Sequence, residues 1–190
     1  MTTFPLLICL LAYEAQAGQP LPTPVTGLNL ATDKTAVLEG ARALMLADEN
    51  VALVSVDADG RPRVRTVKAF LDPPVAGRPA AGLTVWIMTR RTTRKVEQIR
   101  QHDKVALYFN DDDKLSYATL MGTAIVHTDP ATPGAKRHYD EEYAKFFWPA
   151  FPEDFVMIEV RPDWLEYMGP GVPNDRNTWR PRAVVFDKQQ

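Results

Sequence analysis

The chain has 190 residues, of which 45% are hydrophobic and 24% are charged, and its formal net charge is −2 at pH 7. These values are typical of one globular domain with a sizeable core, and the missing basic excess argues against a general nucleic-acid-binding protein. The single cysteine excludes a disulfide framework and a cysteine-based metal site, and no apolar run approaches the roughly 18 residues that a membrane-spanning helix needs.

The N-terminal segment has the outline of a secretory signal peptide over residues 1–17. An apolar run, LLICLLA, precedes an Ala-Gln-Ala sequence, although the segment begins without a positive charge. The alternative is a buried apolar segment in a cytoplasmic protein. We favour the signal peptide and export to the periplasm, because the following polar, proline-rich sequence predicts a linker over residues 18–32.

The remaining sequence predicts short strands with a few helices between them. In chain order, the predicted elements are a helix from Thr32 or Asp33 to about Asp48, strands at Val51–Val56 and Arg61–Leu71 joined by a turn at residues 57–60, a loop at Asp72–Gly82, a strand at Leu83–Thr89, a helix at about Thr92–Gln101, strands at Lys104–Asn110 and Leu115–His127, a helix at Pro130–Lys145 capped by Asp129, and strands at Glu153–Val160 and Trp164–Met168. Strands joined mainly by hairpins predict a mainly β, α+β fold, an antiparallel barrel with flanking helices.

The stretch LTVWIMTRRTTRKVEQI combines a strand with the start of a basic helix. The apolar run ends at Thr89, and four cations follow within six residues. Unpaired backbone N–H groups and the helix dipole favour an anion at a helix N-terminus, where Arg94 and Lys95 add charge-assisted hydrogen bonds. The pattern predicts a phosphate site. The alternative is a solvated cationic turn, and we apply that interpretation to Arg90 and Arg91.

Three arginines alternate along the predicted second strand and therefore share one of its faces. Arg61 and Arg63 are interpreted as solvated, whereas Arg65 lies deepest in the strand and is the best candidate ligand. The acidic run at residues 111–113 predicts a hairpin turn rather than a metal site, because calcium-loop spacing is missing. The sequence contains no glycine-rich dinucleotide motif or P-loop and predicts no metal site.

Three short motifs occur along the chain, and their order and spacing are informative when they are taken together. A strand with a terminal threonine, Trp86–Thr89, precedes the Arg-Lys pair of Arg94–Val96; a Gly-x-Pro-x-x-Arg hairpin occupies Asp59–Val67; and a strand ends in glycine at Tyr117–Gly122. Together they resemble the pyridoxamine 5′-phosphate oxidase-like, FMN-binding split-barrel superfamily, and within it the general stress protein group. The resemblance spans roughly Asp33–Met168.

The resemblance implies an FMN-binding split β-barrel domain over residues 33–170 and a C-terminal tail over residues 171–190. It also implies a homodimer with FMN at the interface; FAD or a deazaflavin shares the same phosphate anchor. The implied roles are Arg65 at the FMN phosphate or ribityl chain, Thr66 and Val67 along the flavin, Met88 and Thr89 at flavin and phosphate, Arg94 and Lys95 as a phosphate clamp, and Tyr117 at the flavin from the other face.

The implied function is that of a flavin-dependent oxidoreductase or stress-response protein without an identified substrate. A true pyridoxamine 5′-phosphate oxidase is not expected, because the Arg-x-His substrate motif of those enzymes is missing from Thr178–Arg182. The sequence assigns no catalytic acid or base. The alternative function is a non-catalytic module that stores or senses a flavin or haem.

Overall fold

The structure, a computed structural model, describes residues 31, 34–78, 80–129, 131–139, 145, 150, 153–173 and 180–186. The predicted signal peptide and nearly all of the predicted linker lie outside these residues. The described elements are α1 Lys34–Ala47, β1 Asn50–Val56, β2 Pro62–Lys68, β3 Phe70–Leu71, a 3-10 turn at Ala81–Leu83, β4 Val85–Arg90, α2 Arg94–Gln101, β5 Lys104–Asp111, β6 Ser116–His127, α3 Pro133–His138, β7 Phe155–Met168 and β8 Arg182–Val185.

All strand pairings in the described sheet are antiparallel. The strand order is β2-β1-β5-β6-β7-β4-β3, and β8 pairs with β7 beside this path. The sheet curls until β2 approaches β4, which gives a half-barrel with helices packed on it. The predicted antiparallel split β-barrel with flanking helices is confirmed.

The main core lies between the concave face of the sheet and the helices α1 and α2. Val37, Ala41, Leu44 and Met45 of α1 recur at helical spacing and are buried. They pack in one cluster with inward-facing strand residues such as Leu53. This arrangement confirms the helix predicted for this segment. Among the described residues, no helix is long and apolar enough to cross a membrane.

The strand β4 is buried on both of its faces. One face of β4 contributes to the main core. On the opposite face, Trp86 and Met88 pack against Phe155 and Met157 of β7 and form a second apolar cluster. Gly134 of α3 lies directly on the Trp86 indole, where a Cβ atom would overlap the ring. α3 therefore covers this part of the convex face of the sheet.

The predicted strand Arg61–Leu71 is wrong as one element. Its first part pairs with β1, whereas Phe70 and Leu71 pair with β4. The chain crosses between them at Ala69, whose N–H donates to the Glu49 carbonyl at 2.8 Å. Because successive parts of one extended segment pair with two different strands, alternation alone does not show where the segment divides.

The two predicted final strands form one continuous strand, β7. Pro162 lies inside this strand, where the β6–β7 register shifts between Met121 and Gly122, and this shift accommodates Pro162 opposite Gly122. A Cβ atom on Gly122 would overlap the Arg161 carbonyl. Glycine is therefore the residue that lets the two strands approach here.

The predicted helix Pro130–Lys145 and the predicted tail also differ from the structure. α3 begins at Pro133 and ends at His138, and Tyr139 is not helical; residues 140–144 lie outside the described residues, and Lys145 is helical as predicted. Asp129 accepts a hydrogen bond from the Ala131 N–H at 2.7 Å just before α3. The tail contains β8, a strand that the sequence did not predict.

Candidate functional site

A cleft of about 440 Å³ opens between β2 and the start of α2. Its volume lies in the range of small-molecule sites, roughly 300–1,000 Å³. Seven of the described residues line the cleft, of which four are cationic and none is acidic. The lining residues are Arg63, Val64, Arg65, Thr93, Arg94, Lys95 and Gln98.

The Arg65 guanidinium is held by neutral partners at the inner end of this cleft. One terminal nitrogen donates to Ser55 Oγ at 2.6 Å, and the other donates to Gln98 Oε1 at 2.8 Å. The Ser55 hydroxyl donates in turn to Gln98 Oε1 at 2.7 Å. Ser55 is completely buried. The three side chains form a closed hydrogen-bonded triangle that fixes the guanidinium.

The cations of the cleft oppose one another electrostatically. Burial lowers the pKa of Arg65, and the nearby charges of Arg94 and Arg63 lower it further. Burial likewise lowers the pKa of Lys95, with a further contribution from Arg65. Because each of these groups disfavours the charge of its neighbour, an anion in the cleft would relieve the repulsion.

The outer arginines have partners outside the centre of the cleft. Arg63 forms an ion pair of 2.7 Å with Asp57, and Arg61 lies 3.9 Å from Asp59. Both arginines are exposed. Their interpretation as solvated side chains is confirmed, although Arg63 also contributes to the cleft wall.

Hydrogen bonds and an ion pair hold the turn between β4 and α2 against the segment just before β7 of the same chain. Thr93 Oγ1 donates to the Arg90 carbonyl at 2.9 Å, and the Arg91 N–H donates to the Asp154 carbonyl at 2.7 Å. Arg90 also forms an ion pair with Asp154 at 3.4 Å. Arg90 and Arg91 are exposed and do not line the cleft, whereas Arg94 does. The cationic run therefore consists of two outer residues, Arg90 and Arg91, and two residues that line the cleft, Arg94 and Lys95.

Residues 37–169 match the family model for pyridoxamine 5′-phosphate oxidase. The chain belongs to this family. The match covers most of the chain and runs from the first turn of α1 to the end of β7. The family resemblance predicted from the sequence is confirmed. No curated protein matches the chain by sequence.

Solved structures with the same fold include a stress-protein relative, a haem-binding protein and an FMN-binding protein. A protein related to general stress protein 26 from Clostridium acetobutylicum has a TM-score of 0.59 at 18% identity, covering 78% of this chain and 93% of its own. A haem-binding protein from Mycobacterium smegmatis has a TM-score of 0.60 at 13% identity, covering 82% and 60%. A pyridoxamine 5′-phosphate oxidase-related, FMN-binding protein from Nostoc punctiforme has a TM-score of 0.55 at 14% identity, covering 85% and 100%. At these identities the likeness establishes the shared fold.

The cleft brings together three of the eight residues that the family resemblance selects, namely Arg65, Arg94 and Lys95. Thr66 follows Arg65 along β2 and is exposed on the opposite face of the strand. Val67 points inward again and belongs to the main core. Neither of these two residues lines the cleft.

The β4 residues and Tyr117 occupy other positions. Met88 packs in the second apolar cluster beneath α3, and Thr89 is buried opposite Val156 of β7. Tyr117 lies on the convex face with its ring stacked on Tyr108, at 5.9 Å between centroids. Burial raises the pKa of Tyr117, and Glu166 and Tyr108 raise it further.

The sequence analysis missed the neutral residues that hold Arg65. Ser55 is the polar member of an inward-facing row that otherwise contains Val51 and Leu53, so alternation along β1 could have found it. Gln98 lies four residues after Arg94, on the same side of α2. The contact between Gln98 and β2, however, depends on how α2 docks, which local spacing does not define.

Proposed function

We propose that the protein binds FMN through its phosphate in this cleft and acts as a flavin-dependent oxidoreductase of the pyridoxamine 5′-phosphate oxidase family. The observation that carries the proposal is the convergence of Arg65, Arg94 and Lys95 on a cleft with no carboxylate among the lining residues that the structure describes. The name of the Nostoc punctiforme neighbour, an FMN-binding protein of the same fold, supports the choice of FMN.

The donor set of the cleft fits a phosphate monoester. Arginine offers a planar fork that matches phosphate oxygens, and Lys95 offers a compact positive charge. The first backbone N–H groups of α2 add dipolar attraction at the same end of the cleft. FMN ends at this phosphate monoester, whereas FAD and a deazaflavin cofactor carry a further group beyond their phosphate, for which the cleft would also need room.

The chain's own residues bind and orient the cofactor in this proposal. A bound flavin supplies the ring that accepts and donates electrons. Among the cleft-lining residues that the structure describes there is no histidine, aspartate or glutamate, and no catalytic acid or base is assigned. Arg65, Arg94 and Lys95 anchor the phosphate, and Thr66, Val67, Met88, Thr89 and Tyr117 remain proposed flavin contacts by family resemblance.

A homodimer is the proposed assembly, and the convex face of the sheet supports it. The strand registers align one row of apolar residues across six strands, namely Val64, Val54, Ala106, Met121, Trp164 and Val185. Val64 is 65% exposed and Val185 is 47% exposed, at the two ends of this row. An apolar belt of this kind is typical of a self-associating surface. Tyr117 lies on the same face and would reach a flavin shared between protomers.

Two spectroscopic measurements test this proposal. The purified protein, mixed with FMN and freed of excess ligand, is expected to retain an oxidised-flavin absorption spectrum. Anaerobic addition of NADH or NADPH should then bleach that spectrum if the protein turns over. A protein that retains no flavin would contradict the binding proposal, and a retained flavin that neither nucleotide reduces would favour a storage or sensing module.

Haem binding is the second candidate, because the Mycobacterium smegmatis neighbour of the same fold is named as a haem-binding protein. The propionates of haem are anions that a cationic cleft also suits. Haem titration distinguishes the candidates directly, because bound haem gives a sharp Soret band that flavins lack. A Soret band together with no flavin uptake would replace the FMN proposal.

Export is also a proposal, which concerns residues outside those that the structure describes. Signal-peptide cleavage after the Ala-Gln-Ala sequence would begin the mature protein at Gly18. N-terminal sequencing of the protein recovered from its native cell tests this. An intact Met1 in that protein would contradict export by cleavage.

A further inference from the structure

We propose that Ser55 and Gln98 are positioning residues that hold the Arg65 guanidinium for an anionic phosphate while leaving its charge unneutralised. This inference rests on the proposed function, because it takes the FMN phosphate as the anion. It adds two residues that lie outside the strand-end, Arg-Lys and hairpin patterns carrying the family resemblance.

The geometry of the triangle gives each group one definite role. Ser55 Oγ accepts from Arg65 and donates its single hydroxyl proton to Gln98. Gln98 Oε1 therefore accepts from both other members. This arrangement fixes which end of the Gln98 amide faces Arg65, and it leaves the two amide N–H groups available to other acceptors at the cleft wall.

The two acceptors use only part of the hydrogen-bonding capacity of Arg65. A guanidinium has five N–H donors, and Ser55 and Gln98 each take one of them. The remaining donors suffice for a bidentate contact with phosphate. Fixing the side chain before ligand binding also removes part of the entropy cost of ordering a long, flexible arginine.

The side chains that hold Arg65 are uncharged, and this is the informative feature of the arrangement. A carboxylate is the commonest strong partner of a half-buried arginine, and it would offset the repulsion from Arg63 and Arg94. Here a hydroxyl and an amide oxygen occupy the corresponding positions, and the full positive charge stays in the cleft. Such a site discriminates ligands by their charge, which points to a phosphorylated flavin over its dephosphorylated form.

The decisive variant is Gln98→Glu, which keeps the shape of the side chain and adds one negative charge next to Arg65. The matched control is Gln101→Glu, the same change on the same helix at an exposed position outside the cleft lining. Ser55→Ala tests the triangle independently, because it removes the hydroxyl without adding charge. The probes are FMN and riboflavin, which differ only in the phosphate.

Flavin-fluorescence titrations of the full-length protein give the two dissociation constants for each variant, and thermal unfolding checks that each variant folds. We expect Gln98→Glu to weaken FMN binding by about tenfold or more and Ser55→Ala by about three- to tenfold, with riboflavin binding nearly unchanged in both. Gln101→Glu should match the wild type. A loss of both flavins together would indicate a merely structural role and overturn the inference.

The outcomes separate this inference from the proposed function. If the wild-type protein binds FMN more tightly than riboflavin but Gln98→Glu and Ser55→Ala keep the wild-type ratio, the positioning inference is wrong and the FMN proposal stands. If the wild-type protein does not distinguish the two flavins, no phosphate is recognised in the cleft, and both are overturned.

Discussion

Lys95 and Arg65 face the same cleft from α2 and β2, and the charge of Arg65 lowers the pKa of Lys95 beyond the effect of burial. The neighbours of Arg65 lower its pKa in the same direction. A cleft that concentrates mutually repelling cations costs the free protein stability. On the proposed function, the same arrangement would strengthen binding of a small, highly charged anion, because the ligand would offset a repulsion already present.

The lowered Lys95 pKa predicts how the stability of the ligand-free protein depends on pH. Between the lowered pKa and the ordinary value of 10.5, the unfolded chain holds a proton that the folded chain has lost. The free energy of unfolding therefore rises with pH between these two pKa values. Below the lowered pKa, Lys95 is charged in the folded protein, and the full cost of burying that charge reduces stability.

FMN binding is predicted to have the opposite pH dependence. A bound phosphate favours the charged ammonium, so the affinity is greatest below the lowered Lys95 pKa and falls as the pH rises through it. Titrations from neutral to alkaline pH measure this. Lys95→Met should bind more weakly and lose this part of the pH dependence; an identical pH profile in the variant would show that Lys95 does not contact the anion.

The double change Arg94→Ala with Lys95→Ala is predicted to weaken FMN binding by roughly 2–5 kcal/mol, because two charge-assisted contacts are lost. The control is Arg91→Ala with Arg100→Ala, which also removes two positive charges near α2 but from exposed side chains outside the cleft lining. Isothermal titration calorimetry compares the two. Equal losses would mean that only the overall charge of the region matters.

An aspartate at the end of the apolar row is predicted to disrupt the proposed homodimer. Val185→Asp places an unpaired charge in the proposed interface, where burial of such a group costs several kcal/mol. Leu46→Asp is the control, since Leu46 is 57% exposed on α1, which packs on the opposite face of the sheet. Sedimentation equilibrium gives the dissociation constants. Dimers of equal strength in both variants would place the interface elsewhere.

Gly122→Ala is predicted to destabilise the fold by about 1–3 kcal/mol, because the added methyl group overlaps the Arg161 carbonyl and forces β6 and β7 apart. Denaturant unfolding measures the loss. Wild-type stability in this variant would show that the bulge opposite Pro162 relaxes without cost.

Local patterns predicted most strands and helices because each depends on alternation or helical spacing within a few residues. They failed where distant pairing decides the outcome. β8 is four residues long and is placed by its pairing with β7, and Pro162 is tolerated inside a strand because Gly122 lies opposite. Neither relationship is visible in the neighbouring sequence.

The site shows the same division between local and distant information. Arg65, Arg94 and Lys95 could be selected from charge and position, and the cleft contains all three. Ser55 and Gln98 come together through the docking of α2 against β1 and β2, so spacing alone does not reveal the contact. The placement of Met88 beneath α3 follows from β4 being buried on both faces.

The most direct test of the phosphate site is one equilibrium titration of the wild-type protein with FMN and with riboflavin in the same buffer. Recognition through Arg65, Arg94 and Lys95 predicts that FMN binds at least about tenfold more tightly than riboflavin, since only FMN carries the phosphate. Equal affinities for the two flavins, or no binding of FMN, would contradict it.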